Sequence, residues 1–473
     1  MSPTDLSPPT SEPAASWHQG ALIELVIANL SPTGDGVGRW GEDQRVVFVP
    51  DTVPGDRISA RLVRVKPKYA NAQLQELLEP STYRIRPHCI VADKCGGCQW
   101  QPVDYTYQIS AKQDQVVQAL GRIGKFQDPP VDEILAAPSP LGYRNKVTYP
   151  LTNRRSHGEK KVQAGYYRKG SHRLVNLNQC PVQDPHLDPL LAAIKQDIQD
   201  LEWPVYNEKT HEGIIRHLSM RVGRRTEEIL ITLVVCNDDI PVLGAQAAAW
   251  MRDHPGIVGV CLNINSERTN RIFGKRTDCI VGRPYLVEEF AGLQFHIRAN
   301  TFFQIHTEQA EALLEVILAE LNLQGHETVL DAYCGIGTLS LPIARHAAQV
   351  VGLEVQEEAV KSAIANAALN NITNVTFQTG KVERLLSVQD DTPDIVLVDP
   401  PRKGCSEAVV EQLLELKAPR LVYMSCNPAT LARDLKFLCQ GGDYQLTRVQ
   451  PADFFPQTAH VECVAFLERQ SPT

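Results

Sequence analysis

Two side chains that could take part in a reaction follow predicted buried strands in the C-terminal part of the chain. The apolar run at residues 421–424 predicts a strand, and Asn427-Pro428 ends it before a predicted helix over residues 429–435. Cys426 therefore lies at the carboxyl end of a strand, where open α/β sheets bind ligands. It is a candidate nucleophile, although a lone cysteine beside an apolar strand is more often a small buried residue. One strand earlier, after residues 395–398, the motif Asp399-Pro-Pro-Arg-Lys-Gly404 holds a carboxylate in a loop that two prolines stiffen.

A second motif, Gly335-Ile-Gly337, has the features of a nucleoside-binding turn. It follows a predicted strand at residues 328–331, and glycines there let the backbone approach a ligand closely. The next strand, residues 350–353, ends at Glu354, whose carboxylate is placed to accept hydrogen bonds from ribose hydroxyls. Ser340 stands where a dinucleotide fingerprint has its third glycine. This substitution disfavours an NAD-dependent oxidoreductase and suits S-adenosylmethionine, which has no pyrophosphate.

Four cysteines have the spacing of a metal site. Cys89, Cys95 and Cys98 follow a C-x5-C-x2-C pattern, and Cys180, followed by proline, would have to fold back to complete the set. Two glycines between Cys95 and Cys98 let backbone amides approach bound sulfur. Spacing alone leaves open whether the occupant is zinc or a 4Fe-4S cluster.

Composition restricts the classes of function. The net charge of −8 over 473 residues argues against indiscriminate binding to nucleic acid. A local patch differs: residues 142–173 hold nine basic side chains and one acidic one, interleaved with Tyr143, Tyr149, Tyr166 and Tyr167. Such a stretch could bind RNA by stacking or could equally be the solvated face of a β-domain. No apolar run approaches the roughly 20 residues of a membrane span. Without a signal peptide we expect a cytoplasmic protein whose cysteines do not form a disulfide framework.

The order of predicted elements divides the chain into four segments. Residues 1–17 form a polar, proline-rich tail that we expect to be disordered. Residues 18–78 alternate short apolar runs with turn signals, which is typical of a small OB-like β-barrel. Residues 79–290 form a mixed α+β central domain that holds the four cysteines. Residues 291–473 alternate strands and helices, which predicts an α/β domain with a doubly wound, Rossmann-like parallel sheet.

The motifs together resemble those of the RNA (uracil-5-)-methyltransferase family. That family carries a D-P-P-R-type loop, an S-C-N-P nucleophile loop and a late F-P-x-T-x-H-x-E segment. This chain has Asp399-Pro-Pro-Arg402, Ser425-Cys-Asn-Pro428 and Phe455-Pro-Gln-Thr-Ala-His-Val-Glu462. The resemblance implies methyl transfer to C5 of uracil, with Cys426 adding to C6 and Glu462 removing the C5 proton as general base.

The resemblance also implies the binding sites. Phe302-Phe-Gln-Ile-His306 is similar to a family segment that touches the methyl donor, so the implied S-adenosylmethionine contacts are Gln304, Tyr333, Glu354 and Asp399. His306 departs from the family, which often has asparagine there. The barrel resembles a TRAM domain through Gly34-Asp-Gly-Val-Gly-Arg39 and Val53-Pro-Gly-Asp-Arg57.

Bacterial ribosomal members of this family combine a TRAM domain with a 4Fe-4S cluster, and its tRNA-specific members lack both. The resemblance therefore implies a cluster on Cys89, Cys95, Cys98 and Cys180, and 23S ribosomal RNA as the partner of a monomeric enzyme. We expect the target uracil to be unstacked from its helix before Cys426 can reach it. Two alternatives stay open: a methyltransferase acting on tRNA, and a noncatalytic iron-sulfur RNA-binding protein. The paired presence of Cys426 and Glu462 argues against the second alternative.

Overall fold

The chain divides into two compact units that interleave in sequence. The computed structural model describes residues 17–156, 159–389 and 391–470, with no description of the side chains of residues 155–160. The tail predicted over residues 1–17 thus lies outside the described residues except for Trp17. One unit holds the described chain up to Pro87 together with Gln99–Tyr107, and the other holds His88–Cys98 and everything from Gln108 onward.

The first unit is a closed five-stranded β-barrel, as the sequence predicts. Apolar side chains alternate with polar ones along the first strand, so Ile23, Leu25 and Ile27 face the barrel interior. Buried Asp56 accepts hydrogen bonds from the backbone N–H of Val53 at 2.6 Å and of Ser81 at 2.9 Å. The strands follow the order β1-β2-β3-β5-β4, with bounds β1 Leu22–Leu30, β2 Gly36–Trp40, β3 Arg45–Val49, β4 Arg57–Val65 and β5 Tyr69–Glu79.

The second unit begins with a mixed six-stranded sheet of order β11-β10-β9-β8-β6-β7. One face carries apolar side chains such as Leu218 and Leu233, which pack in one core with Leu191 and Trp250. The elements of this region are α1 Tyr105–Ala119 with a π turn at Leu120–Gly124, β6 Lys146–Ser156, β7 Glu159–Ala164, α2 Leu187–Asp200, β8 Ile215–Val222, β9 Ile229–Val235, α3 Leu243–Asp253, β10 Ile257–Ile264 and β11 Arg276–Gly282. A separate hairpin, β12 Tyr285–Phe290 with β13 Leu293–Arg298, follows them.

The basic, tyrosine-rich stretch forms the β6–β7 hairpin and its flanks. Tyr143 and Tyr149 are buried, at 1% and 0% exposed, so the expectation that these two rings could stack on RNA bases is wrong. Tyr166 and Tyr167 are partly exposed. The rings of Tyr143 and Tyr149 pack in the core. The number of aromatic and basic residues in a stretch does not reveal which of its rings are buried.

The C-terminal part folds into a seven-stranded sheet of order β16-β15-β14-β17-β18-β20-β19, which confirms the predicted Rossmann-like methyltransferase fold. Its first five strands in this order pair in parallel, and β20 and β19 add antiparallel at one edge. The elements are α4 Thr307–Leu321, β14 Thr328–Ala332, α5 Ser340–Ala344, β15 Gln349–Glu354, α6 Glu357–Leu369, β16 Val375–Thr379, α7 Val382–Leu386, β17 Ile395–Val398, α8 Glu407–Leu416, β18 Arg420–Ser425, α9 Pro428–Gln440, β19 Tyr444–Ala452 and β20 Glu462–Arg469. Among the residues described, no helix is long and apolar enough to cross a membrane.

Candidate active site

The turn after β14 has a backbone suited to close contact with a ligand. Tyr333, Gly335 and Gly337 all have positive φ, at 70°, 58° and 84°. This conformation costs a non-glycine residue such as Tyr333 about 1–3 kcal/mol, and such strain collects at functional sites. A Cβ added to Gly335 would meet nothing within 4 Å, so that side of the turn is open. A Cβ on Gly337 would lie 3.1 Å from Leu341 Cγ, so close packing against Leu341 favours glycine at this position.

A cleft opens beside this turn. Three of the four predicted cofactor contacts, Gln304, Tyr333 and Asp399, line it directly. The apolar part of its lining includes Phe290, Phe302, Leu313, Leu314, Ile317 and Met424. An apolar cleft with a few convergent polar groups is the usual form of a small-molecule site.

The fourth predicted contact, Glu354, supports the turn from the end of β15. Its carboxylate accepts hydrogen bonds from the backbone N–H of Gly335 at 3.2 Å and of Gln356 at 2.7 Å. Those two bonds fix the orientation of the carboxylate beside the open face of Gly335.

Asp331 is a cleft residue that the sequence analysis missed. It lies in β14, lines the cleft and is 1% exposed. Ser340 Oγ donates a hydrogen bond to Asp331 Oδ2 at 2.5 Å, so Ser340 supports a carboxylate where a dinucleotide site would have glycine. Burial raises the pKa of Asp331 to about 7 despite this bond. An acidic residue inside an apolar strand just before a glycine-rich turn is the sequence signal that could have found it.

Cys426 lies in a short turn that several hydrogen bonds hold rigid. Ser425 Oγ accepts from the backbone N–H of Asn427 at 3.1 Å, which pins the backbone on both sides of Cys426. Asn427 Oδ1 caps α9 by accepting from the N–H of Ala429 at 3.1 Å. Asn427 Nδ2 donates to the carbonyl oxygen of Arg402 at 3.2 Å. One asparagine side chain therefore ties the nucleophile turn to the Asp399-Pro-Pro-Arg402 loop.

The sheet brings Cys426, Glu462 and Asp399 together at one end. Ser425 pairs with Cys463 across β18 and β20, so Cys426 and Glu462 are the next residues outward from that pair. Burial, then the neighbouring Asp399, raises the pKa of Glu462 well above its usual range. Burial raises the pKa of Asp399 to about 7. Burial and the neighbouring Glu462 raise the pKa of the Cys426 thiol to about 11.

The positive charge of Arg402 offsets part of the negative charge around Cys426. The positive charge of Arg402 acts against the rise in the Cys426 pKa. One guanidinium nitrogen of Arg402 lies 3.0 Å from Nδ1 of His460 in the loop before β20. Burial, and then Arg402, lowers the pKa of His460 to about 4, so its ring is neutral at physiological pH and can accept this bond. Neither residue has a role of its own that the sequence reveals, because their contact joins loops 58 positions apart.

The four predicted metal ligands come from one neighbourhood of the second unit. Cys98 packs on a small cluster that contains Cys180 and Tyr143. Burial raises the pKa of the Cys95 and Cys180 thiols, and the neighbouring Cys89 raises both further. The backbone N–H of Gly97 donates to Cys95 Sγ at 3.4 Å. Within the described ranges, however, no group of three or more His, Cys, Asp or Glu side chains has the arrangement that holds a metal ion.

Both the barrel and the C-terminal domain match known protein families. Residues 17–74 match the TRAM domain family, and residues 274–470 match the tRNA (Uracil-5-)-methyltransferase family. Among solved structures, the tRNA (uracil-54, C5)-methyltransferase of Pyrococcus abyssi in complex with S-adenosyl-L-homocysteine aligns with a TM-score of 0.75 at 28% identity. The alignment covers 94% of this chain and 100% of that one.

Relatives with higher identity align over at least 95% of the chain. An RNA methyltransferase of Nostoc sp. is 62% identical over 453 residues, which is 96% of this chain and 97% of that protein. An RNA methyltransferase of Thermosynechococcus vestitus is 54% identical over 95% of this chain and 99% of its own. The protein therefore belongs to the RNA (uracil-5-)-methyltransferase family and is an S-adenosylmethionine-dependent RNA methyltransferase with an N-terminal TRAM domain.

Proposed function

We propose that this enzyme methylates C5 of a uridine in 23S ribosomal RNA through a covalent bond between Cys426 and C6. The observation that carries the mechanism is the arrangement of Cys426, Glu462 and Asp399 at one sheet end, beside the cleft lined by Gln304 and Tyr333. A nucleophile, a base and a donor site are all required by this reaction, and each has a candidate here.

Cys426 begins the reaction. Uracil C5 is a weak nucleophile, and addition of the Cys426 thiolate to C6 forms a C–S bond that moves the electron pair of the double bond toward O4 as an enolate. C5 of that enolate would then form a bond to the methyl group of S-adenosylmethionine, while the bond from methyl to sulfur breaks and its electron pair stays on the sulfur. Burial and Glu462 raise the pKa of the Cys426 thiol to about 11 although the positive charge of Arg402 opposes the rise, so Arg402 stabilises the thiolate.

Glu462 completes the reaction. After transfer, C5 carries both a methyl group and a hydrogen, and loss of this proton to a carboxylate restores the double bond and expels the Cys426 sulfur. Two neighbouring buried carboxyls do not both ionise readily, so Asp399 and Glu462 retain a proton between them. Because Asp399 raises the pKa of Glu462, we propose that Glu462 ionises when positive charge in the cleft offsets the charge of Asp399, and that it then takes the proton from C5.

The cleft residues fit S-adenosylmethionine. The group supplies an electrophilic methyl on a sulfonium cation, and its ammonium adds a second positive charge. Asp331, which is 1% exposed, and Asp399 both line the cleft, so their carboxylates can meet positive charge there. Glu354 lies beside Gly335, where its carboxylate can accept hydrogen bonds from ribose hydroxyls. Gln304 lines the cleft from the segment that precedes α4.

We also propose a 4Fe-4S cluster on Cys89, Cys95, Cys98 and Cys180. The donor set fits, since four cysteines and N–H groups aimed at sulfur are typical of such clusters. Arg144 adds to the fit because it lies near Cys95, Cys98 and Cys180, and its Nε has no hydrogen-bond partner among the described residues. Anaerobically purified protein should be brown and contain iron and sulfide, whereas colourless zinc protein would refute the cluster.

The exposed surface offers RNA contacts. Arg154, Lys161 and Arg168 of the β6–β7 region are exposed and can neutralise phosphates, with partly exposed Tyr166 and Tyr167 nearby in sequence. We propose that this region and the TRAM barrel bind the RNA, with residues 18–78, 79–290 and 291–473 acting as barrel, central and methyltransferase domains.

The second candidate substrate is tRNA, favoured by the likeness to the Pyrococcus abyssi tRNA enzyme. The four-cysteine set supports 23S RNA, whereas the barrel does not separate the two substrates, because the alignment with the tRNA enzyme covers 94% of this chain and so extends into residues 17–74. Mapping 5-methyluridine in ribosomal and transfer RNA from cells with and without the protein decides between them. Loss of the modification from 23S RNA alone is the expected result, and loss from tRNA alone would overturn the assignment.

A further inference from the structure

Residues 142–145, here named the link segment, touch the cysteine neighbourhood and both halves of the active site. The backbone N–H of Gly142 donates to the carbonyl of Pro181 at 2.9 Å, and that of Arg144 donates to the carbonyl of Val182 at 3.0 Å. The link segment is thus paired with the chain that directly follows Cys180. The Tyr143 ring packs in one cluster with Cys180 and Cys98.

Tyr143 reaches from this cluster to the loop that precedes Glu462. Its hydroxyl donates to the carbonyl oxygen of Pro456 at 3.0 Å, and the side chain is 1% exposed. The loop, residues 453–461, ends where Glu462 opens β20. Because a buried carbonyl without its donor is costly, the Tyr143 hydroxyl favours one position of this loop.

Asn145 reaches in the other direction, to the segment that holds Gln304. Its backbone N–H donates to the carbonyl of Ile305 at 3.0 Å. Its Nδ2 donates to the carbonyl of Gln304 at 2.9 Å and to Thr307 Oγ1 at 3.0 Å, at the start of α4. The side chain is 1% exposed, so these bonds form away from water.

We propose that Tyr143 and Asn145 are positioning residues through which the cysteine-bearing region sets two separate parts of the active site. Tyr143 positions the loop that carries the proposed base, and Asn145 positions the proposed cofactor contact Gln304. This division rests on the proposed roles of Glu462 and Gln304. It predicts that the two side chains affect different steps, although they are only two residues apart.

Two substitutions separate these roles, and two matched controls come from the same strand region. Tyr143→Phe removes only the hydroxyl, and Asn145→Ala removes both side-chain donors. Tyr149→Phe is the control for the first, since its hydroxyl is equally buried but donates to Gln183. Thr148→Val is the control for the second, since it loses a 2.9 Å bond to Ser219 Oγ within the sheet.

The first readout is hydrogen exchange measured by mass spectrometry, which requires neither RNA nor turnover. Tyr143→Phe should speed exchange about threefold to tenfold in peptides covering residues 453–461 and leave residues 302–307 unchanged. Asn145→Ala should give the reverse pattern. Both controls should match the wild type in both regions.

The second readout is function, taken in two parts. Asn145→Ala should weaken binding of S-adenosylhomocysteine, measured by calorimetry, by about threefold to tenfold. Tyr143→Phe should leave that affinity unchanged and slow the decay of the covalent complex with RNA that lacks 5-methyluridine. Equal changes in both regions and both steps, as general loosening would produce, would overturn the proposal, and so would no change in either.

Failure of the catalytic assignment has a different signature. If Glu462 is not the base, Tyr143→Phe will still speed exchange in residues 453–461 but will not slow complex decay. If Gln304 is not a cofactor contact, Asn145→Ala will loosen residues 302–307 without a change in affinity. The positioning roles of Tyr143 and Asn145 are refuted only when the two substitutions do not change hydrogen exchange in different regions, residues 453–461 for Tyr143→Phe and residues 302–307 for Asn145→Ala.

Discussion

Replacing Glu462 with glutamine should have opposite effects on the two halves of the reaction. The amide has the size of the carboxyl group but cannot accept the C5 proton. Loss of a general base typically lowers the rate by about 100- to 10,000-fold, and turnover of Glu462→Gln should fall by that factor. Because the missing step follows methyl transfer, the covalent complex with methylated RNA should accumulate.

Formation of the covalent bond should not slow, and the structure gives the reason. Burial and the neighbouring Glu462 raise the pKa of Cys426 to about 11, so about one thiol in a thousand is ionised at pH 8. Glutamine removes the contribution of the carboxylate, which lowers the pKa of Cys426 and increases the ionised fraction at a given pH. The rate of bond formation should therefore equal or exceed that of the wild type at pH 7 to 8.

A quenched-flow experiment separates these effects. Enzyme, RNA lacking 5-methyluridine and methyl-labelled S-adenosylmethionine are mixed, and denaturing gels then follow the bound and released label over time. Glu468→Gln is the matched control, since Glu468 lies on the same strand and is exposed. Turnover by Glu462→Gln within about tenfold of the wild type would remove Glu462 from the role of base. Failure to form the complex would mean that Glu462 acts before the methyl transfer.

Three further outcomes test other parts of the site. Burial raises the pKa of Asp331 from 3.8 to about 7, so the folded state keeps a proton that the unfolded state loses, and stability falls by up to about 4 kcal/mol as pH rises from 4 to 7. Urea unfolding of Asp331→Asn should lack this fall, and an unchanged pH dependence would contradict the pKa shift. Asn427→Ala loses an N-cap worth about 1 kcal/mol and should lose more activity than Ser406→Ala, which removes the cap of α8 at similar cost in melting temperature. Equal activity of these two variants would mean that Asn427 does not align the loops. Cys180→Ala should lose bound iron, and iron content equal to the wild type would exclude Cys180 as a ligand.

Much of the fold follows from local signals in the sequence. Turn residues bracket the strand Ile395–Val398, which was predicted to the residue. The alternation of strands and helices predicted the parallel sheet because each crossover needs a helix. The helix α4 and the strands β6, β7, β19 and β20 were not predicted. The edge strands β19 and β20 are defined by antiparallel pairing with β18, which is not a local property.

The site shows the same limit. The roles of Cys426 and Glu462 were predicted from a resemblance in motifs, whereas their proximity depends on the register of Ser425 with Cys463. Arg402 and His460 meet only because two loops end at the same sheet edge. Tyr143 lies in the core, although the sequence left open whether its stretch binds RNA or forms a solvated face, since burial depends on what packs against a ring.

The central claim, that Cys426 forms a bond to uracil C6, has one direct test. RNA containing 5-fluorouridine, whose C5 fluorine cannot leave as a proton does, should trap the enzyme in a complex that survives denaturation. After digestion, mass spectrometry should place the modified nucleotide on Cys426, and Cys426→Ala should form no complex. A complex on another cysteine such as Cys334, which also lines the cleft, would contradict the account, and so would full methylation by Cys426→Ala.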